Sequence, residues 1–549
     1  MSSESGTWKQ SKFEARENPL FFWQYFDTTF FLVTTITLMV SFWFFRTLKQ
    51  WYRDRARTLY LAAKLPGPPT LPLIGNAHLF ACNPEETLDK IKQIVQSVDT
   101  PGRFWLGPKL FIVLAEPRDY EVILGCHKAS YKDKMYEFIE PFVGKGLVSG
   151  SGPVHRAHRK AIMPMLNSKA LNEYLEYFDT HSRICSELLE EKAGTGVFDI
   201  QPFMVHCTFD MIFDTILGMP GSSQKEGHKE LVYWTEKMYE LVHTRMIKVW
   251  LHADWIFSWT DHGKKQKEGQ HVIHSFIESV NFIHLMITAY LSASIVFLFP
   301  FEIPQAVARK KKEHYAIERG AIAPDRPRLM LLEQLIDHNA KTNLMNDTEL
   351  RDETYTIFTA AQDTTGVISS FALLNLAMNQ EIQDKVREEI RNVVGNDSVT
   401  VEHLPELKYT ELVIKETLRL YPIAPLMVRE ATGDIDLETC TLPKGCSIVM
   451  VPYETHRSTK YWSDPEKFIP ERFLPENSVG RHPYAYIPFS GGLRGCVGQK
   501  FAIMCLKTML VHVIRKVRLT STQNLETLRL KADISVRSRD GYMVSVERI

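Results

Sequence analysis

Along most of the chain apolar side chains recur every three to four positions, the spacing that collects them on one face of an α-helix. The pattern predicts helices across most of residues 73–549, the longest from about Thr348 to Met378. Short apolar runs, Phe111 to Leu114 and Cys446 to Val451, predict strands. The expected fold class is mostly α with a small β-rich lobe. Thr28 to Phe45 departs from this pattern: eighteen residues without a charge and rich in Phe, Leu, Val and Ile. As a helix it reaches about 27 Å, close to the thickness of a hydrocarbon core, and predicts an N-terminal transmembrane helix.

The charges after that run set its orientation. Arg46, Lys49, Arg53, Arg55, Arg57 and Lys64 follow it against one acid, Asp54, which places the bulk of the chain on the cytoplasmic side. A cleaved signal peptide would carry its charge before the run. Prolines crowd Leu65 to Pro72 and predict a stiff, extended spacer. The expected organisation is a tail over 1–27, an anchor over 28–45, a basic and Pro-rich linker over 46–72 and a body over 73–549.

Composition adds exclusions. The chain has 549 residues, 44% hydrophobic and 24% charged, which excludes a disordered or fibrous protein. Lys plus Arg and Asp plus Glu are 65 each, so no bulk charge asks for nucleic acid. The eight cysteines are scattered without a CxxC pair, which predicts free thiols. No GxGxxG follows a strand to bind a nicotinamide.

Three places carry chemistry. In Phe489-Ser490-Gly491-Gly492-Leu493-Arg494-Gly495-Cys496-Val497-Gly498, glycines surround one cysteine just before a helical pattern. Such a loop lets backbone approach a flat ligand. Helix N–H dipoles favour a thiolate, and a thiolate can be an axial ligand to haem iron. Arg494 suits a haem propionate. Second, Glu416 and Arg419 share a helix face among Leu412, Val413, Ile414, Leu418 and Leu420. Third, Asp363 and Thr364 interrupt the apolar centre of the longest helix, in Ala360-Ala361-Gln362-Asp363-Thr364-Thr365.

Phe489, Gly492, Arg494, Cys496 and Gly498 fill the signature FxxGxRxCxG. On these residues the chain resembles the cytochrome P450 haem-thiolate monooxygenases. His482 to Ser490 and Val497 to Ala502 resemble family 4 of that superfamily. The resemblance implies a haem between the long helix and the Cys496 loop, Cys496 being the iron ligand. It implies that Asp363 and Thr364 deliver protons during dioxygen reduction. Glu416 and Arg419 match the family's ExxR pair, joined by Arg472 to hold the haem-side core. His155-Arg156-Ala157-His158-Arg159 stands where the family has WRxxR, so Arg159, Arg429 and His155 are candidate propionate contacts. Ala360 stands where many family 4 enzymes carry a haem-esterifying Glu, so non-covalent haem b is expected.

The implied reaction inserts one atom of O2 into a C–H bond of a small lipophilic substrate, a fatty acid or other long-chain lipid. Electrons would come from NADPH through NADPH-cytochrome P450 reductase, with cytochrome b5 a further candidate partner. The implied place is the endoplasmic reticulum membrane, with the body on the cytosolic face. His155 and Ala361, which replace the family's Trp and Gly, keep open an alternative, a haem-binding but catalytically impaired member. Ser279 to Phe301 is a second uncharged run. A crossing there would part Arg156 and Arg159 from Thr364 and Cys496, so Asn281 to Glu302 is read as an insertion.

Overall fold

The computed structural model describes residues 19–225, 228–291 and 330–549. The chain divides between Lys64 and Leu65 into two units. In the first, a helix spans Pro19–Ala63, and its part from Phe30 to Ala63 is long and apolar enough to cross a membrane. Phe31, Leu38 and Trp43 are exposed on it, a surface that suits lipid better than water. The helix continues past Phe45 because residues 46–63 are rich in Leu, Ala, Arg and Lys, good helix formers without Pro or Gly. The basic half of the expected linker is therefore helical.

The Pro-rich segment belongs to the second unit and is not a free spacer. Pro66 O accepts from Arg103 N at 2.7 Å, and Pro69 O accepts from Asn76 Nδ2 at 2.8 Å. Prolines lack a donor but keep the carbonyl, and here a strand N–H and a side-chain amide take it. A Cβ on Gly67 would lie 2.4 Å from the Arg103 side chain and carbonyl, so this approach needs glycine.

The larger of the sheets has five strands, in the order Gly102–Leu106, Lys109–Leu114, Ser447–Met450, Met427–Glu430, Tyr131–Lys132. The second and third strands are parallel and set Phe111 opposite Ser447; the fourth and fifth are antiparallel and set Lys132 opposite Arg429. Both strands expected from sequence are present, displaced by one or two residues at their ends.

The long central helix spans Asp347–Met378. Its start is a capping box: Asn346 Oδ1 accepts from Glu349 N at 3.0 Å, and Glu349 accepts from Asn346 N at 2.9 Å. Its second half packs on the helix Gln201–Ile212, with Gly366 against Thr208 and Val205. The helix Ser168–Glu190 packs on Gln499–Lys516, which follows the cysteine loop. The expected insertion at 281–302 begins inside a continuous helix, Asp261–Leu291; its residues 292–302 lie outside the described residues.

Candidate active site

The polar residues in the first half of the central helix hold a loop in place. Asp352 accepts from Lys145 N at 2.8 Å and Glu353 from Leu147 N at 3.0 Å. Thr356 Oγ1 donates to Val143 O at 2.8 Å, and buried His158 Nδ1 meets Glu353 at 2.8 Å. The same loop offers the Gly150 carbonyl to Arg494 Nη2 at 2.7 Å. The central helix and the cysteine loop are thus linked through residues 143–150.

The cysteine loop closes on itself, Cys496 N donating to Phe489 O at 2.9 Å. Two residues in it take positive φ, Ser490 and Gly492, both at 59°. A non-glycine residue in that region carries about 1–3 kcal/mol of strain. Gly492 has a further reason: a Cβ there would lie 1.9 Å from Leu124 O. Gly498 caps the following helix, and its N–H and that of Gln499 point at the Cys496 sulfur.

Burial pushes the Cys496 thiol above its ordinary value, although the two N–H groups and Arg159 pull it down. The helix terminus alone therefore does not produce the thiolate. A bound metal would, since a coordinating thiol is deprotonated outright.

Arg159 Nη1 donates to Gly495 O at 2.7 Å, which ties this arginine to the cysteine loop. Burial and the nearby Arg429 lower Arg494 to about 10, and among the described residues its buried Nη1 has no hydrogen-bond partner. Arg429 is buried opposite Lys132. Burial, with Arg429 and Arg494 beside it, pushes Lys132 well below its usual range. Its ammonium lies 4.0 Å from the centre of the Tyr136 ring. His155 is buried, and burial plus Arg494, Arg159 and Lys132 lower it to about 3, so it is a neutral ring rather than a cation. Among the described residues none of Lys132, Arg159, Arg429 and Arg494 has an acidic partner. Buried cations persist only when compensated, so this cluster fits a group carrying carboxylates. One thiol, three arginines without an acidic partner and a lysine that a carboxylate beside it would hold charged fit a haem with its two propionates. Lys132 is the member that sequence reasoning missed, because only the strand register brings it to Arg429.

Around Ala360, Ala361 and Thr364 the central helix is only half-buried, in the middle of an otherwise buried stretch. Ala360 and Thr364 line a cavity of about 430 Å3, together with Ile139, Val148, Pro425, Leu426 and other apolar residues. Thr364 Oγ1 donates to Ala360 O at 2.8 Å. Asp363 is held by the C-terminal hairpin (Leu530–Asp533 and Ser535–Ser538): Arg537 pairs with it, and Ser535 Oγ donates to it at 3.0 Å. Burial draws Arg537 down, but Asp363, Tyr542 and Glu236 outweigh it and raise the guanidinium. No local motif announces this clamp.

Beneath the cysteine loop, Glu416 is fully buried between two arginines. Arg419 Nε and Nη2 reach its carboxylate at 2.7 and 2.8 Å, and Arg472 Nε reaches it at 2.9 Å. Arg419 Nη1 also donates to His456 O at 2.8 Å, while His456 Nε2 accepts from Ile487 N at 3.0 Å. Burial keeps that histidine neutral, at about 3. The three charges therefore reach, through His456, the segment leading into the cysteine loop.

A mostly helical body with one thiol in a glycine loop and a long helix open to an apolar cavity is the architecture of a haem-thiolate oxygenase. The family model of Cytochrome P450 matches residues 65–545. The chain belongs to the cytochrome P450 family of monooxygenases. It is similar to Cytochrome P450 4c3 of Drosophila melanogaster, 29% identical over 90% of this chain and 91% of the relative. Cytochrome P450 4V2 of Rattus norvegicus is 32% identical over 87% and 88%, and Cytochrome P450 4g1 of Drosophila melanogaster 31% over 93% and 94%.

Proposed function

We propose that this monooxygenase hydroxylates long-chain lipophilic substrates, with haem b held non-covalently and electrons from NADPH through NADPH-cytochrome P450 reductase. Cytochrome b5 is a second candidate donor. The endoplasmic reticulum membrane, with the body on the cytosolic face, is the place that the N-terminal helix and its basic flank support. The observation that carries the reading is the apolar cavity of about 430 Å3 that opens on Ala360 and Thr364 and is also lined by Lys132 of the cationic cluster. Its size is within the range of about 300–1,000 Å3 usual for small-molecule sites.

Haem would supply activation of dioxygen; the protein's own residues do the rest. Cys496 would ligate the iron, and Phe489, Gly492 and Gly498 shape the loop that presents the sulfur. Arg494, Arg429 and Lys132 would hold the propionates, with neutral His155 a hydrogen-bond donor and Arg159 fixing the loop at Gly495. Ala360 offers no carboxylate for a covalent link. Thr364 would hand over protons at the cavity wall, and Asp363, once its carboxylate leaves Arg537 and takes a proton from water, would pass that proton on.

Two variants test these assignments. In Thr364→Ala, haem content and substrate binding are expected to stay, while product per NADPH falls about 100-fold, the low end of what a positioned proton donor contributes. The lost reducing equivalents should appear as hydrogen peroxide; unchanged coupling contradicts the role. Arg494→Ala removes a charge-assisted bond of about 1.5–3 kcal/mol, so haem should dissociate roughly ten- to hundredfold more readily. Transfer of haem to an apo-globin acceptor measures this, and an unaltered rate refutes it.

A further inference from the structure

One polar side chain in the cavity wall has no task in the account above. His243 belongs to the helix Lys229–Ile247, one turn beyond Tyr239, whose hydroxyl donates to Thr359 O of the central helix at 2.9 Å. His243 lines the cavity and is 8% exposed. Its Nδ1 is enclosed and has no hydrogen-bond partner among the described residues. An enclosed nitrogen left so costs about 1–3 kcal/mol. Nε2 is not enclosed and has no hydrogen-bond partner among the described residues either, so it is the ring nitrogen that a molecule in the cavity can reach.

The chemistry of the ring narrows the ligand. Burial lowers His243 to about 4, and the paired Asp533 and Lys531 beside it act in opposite directions. At neutral pH it is therefore an uncharged imidazole with one N–H and one lone pair. A carboxylate head would need a cation. The cavity's lysine, Lys132, sits among the cations assigned to the haem, and Asp363 already occupies Arg537. An uncharged oxygen meets the imidazole without either difficulty.

We propose that His243 determines specificity by hydrogen-bonding a neutral oxygen, a hydroxyl or carbonyl, on an otherwise apolar long-chain substrate. This rests on the lipid monooxygenase reading and adds the class of substrate: alcohol, ester, aldehyde or ketone rather than free acid.

The haem-loaded full chain is titrated with an alkane, primary alcohol, methyl ester and free acid of equal chain length, read by the substrate-induced change in the haem absorption spectrum. Wild type should bind the alcohol or ester at least about tenfold tighter than the alkane, about 1.4 kcal/mol, and tighter than the acid. His243→Leu should erase that preference and leave alkane binding unchanged or tighter; His243→Gln, which keeps a donor and an acceptor, should retain part of it. Equal binding of alkane, alcohol and ester by wild type overturns the proposal. So does tighter binding of the acid, or a preference that survives in His243→Leu. The wild-type ranking decides the matter even where the leucine variant does not fold. Absence of response to every compound, alkane included, contradicts the lipid reading itself.

Discussion

Replacing Cys496 with alanine is expected to abolish thiolate ligation and all product formation, with the polypeptide still folded. The loop keeps its shape without the sulfur, since its closure is the Cys496 N to Phe489 O bond and its turns are made by Ser490 and Gly492. No other cysteine can take over. Cys505 lies two turns further along the following helix and is 1% exposed, and the remaining thiols are elsewhere in the chain. Haem can still be captured by Lys132, Arg429 and Arg494, so a residual amount of bound haem without the thiolate signature is the expected product. Circular dichroism gives the fold, and absorption of the reduced, carbon monoxide-treated variant gives the ligand. A variant that keeps the thiolate-type band contradicts the assignment.

Replacing Glu416 with alanine is expected to cost the fold itself. The carboxylate is 0% exposed and serves two buried guanidiniums and the N–H of Ile469, at 2.9 Å. Without it Arg419 and Arg472 face each other with no compensating charge. Breaking a buried pair on one side costs about 3–5 kcal/mol, against a total stability of about 5–15 kcal/mol. Arg419 also donates to Pro465 O at 2.7 Å, and Arg472 to Ser463 O at 2.7 Å, so the segment 463–469 loosens with them. The His456 connection then carries the disturbance to Ile487 and the cysteine loop. Haem content per polypeptide and thermal unfolding measure the loss. A variant with wild-type haem content and melting temperature contradicts the structural role. Asp at 416 keeps the charge but shortens the reach, and should fall between.

How much of this was legible in the sequence depends on distance along the chain. The thiol loop spans ten residues, so spacing alone displayed it, and Glu416 and Arg419 are one helical turn apart. The partner of Asp363 is 174 residues away, on a hairpin that no local pattern connects to the central helix. Lys132 joins Arg429 only through strand register, which sequence spacing does not carry. Sequence reasoning also weighed the helix dipole on Cys496 without the opposing burial, which is larger. The N-terminal span was visible as an uncharged run, but its continuation to Ala63 depends on helix propensity in a segment whose charges suggested a linker. Pro66 and Pro69 were legible as stiff residues, not as acceptors for the strand N–H of Arg103 and the side-chain amide of Asn76.

The most direct test of the account is the carbon monoxide difference spectrum of the reduced full-length chain. A thiolate-type haem band in wild type that disappears in Cys496→Ala is the predicted result. A wild-type protein that binds haem and gives a band of the histidine-ligated or unligated type would contradict it.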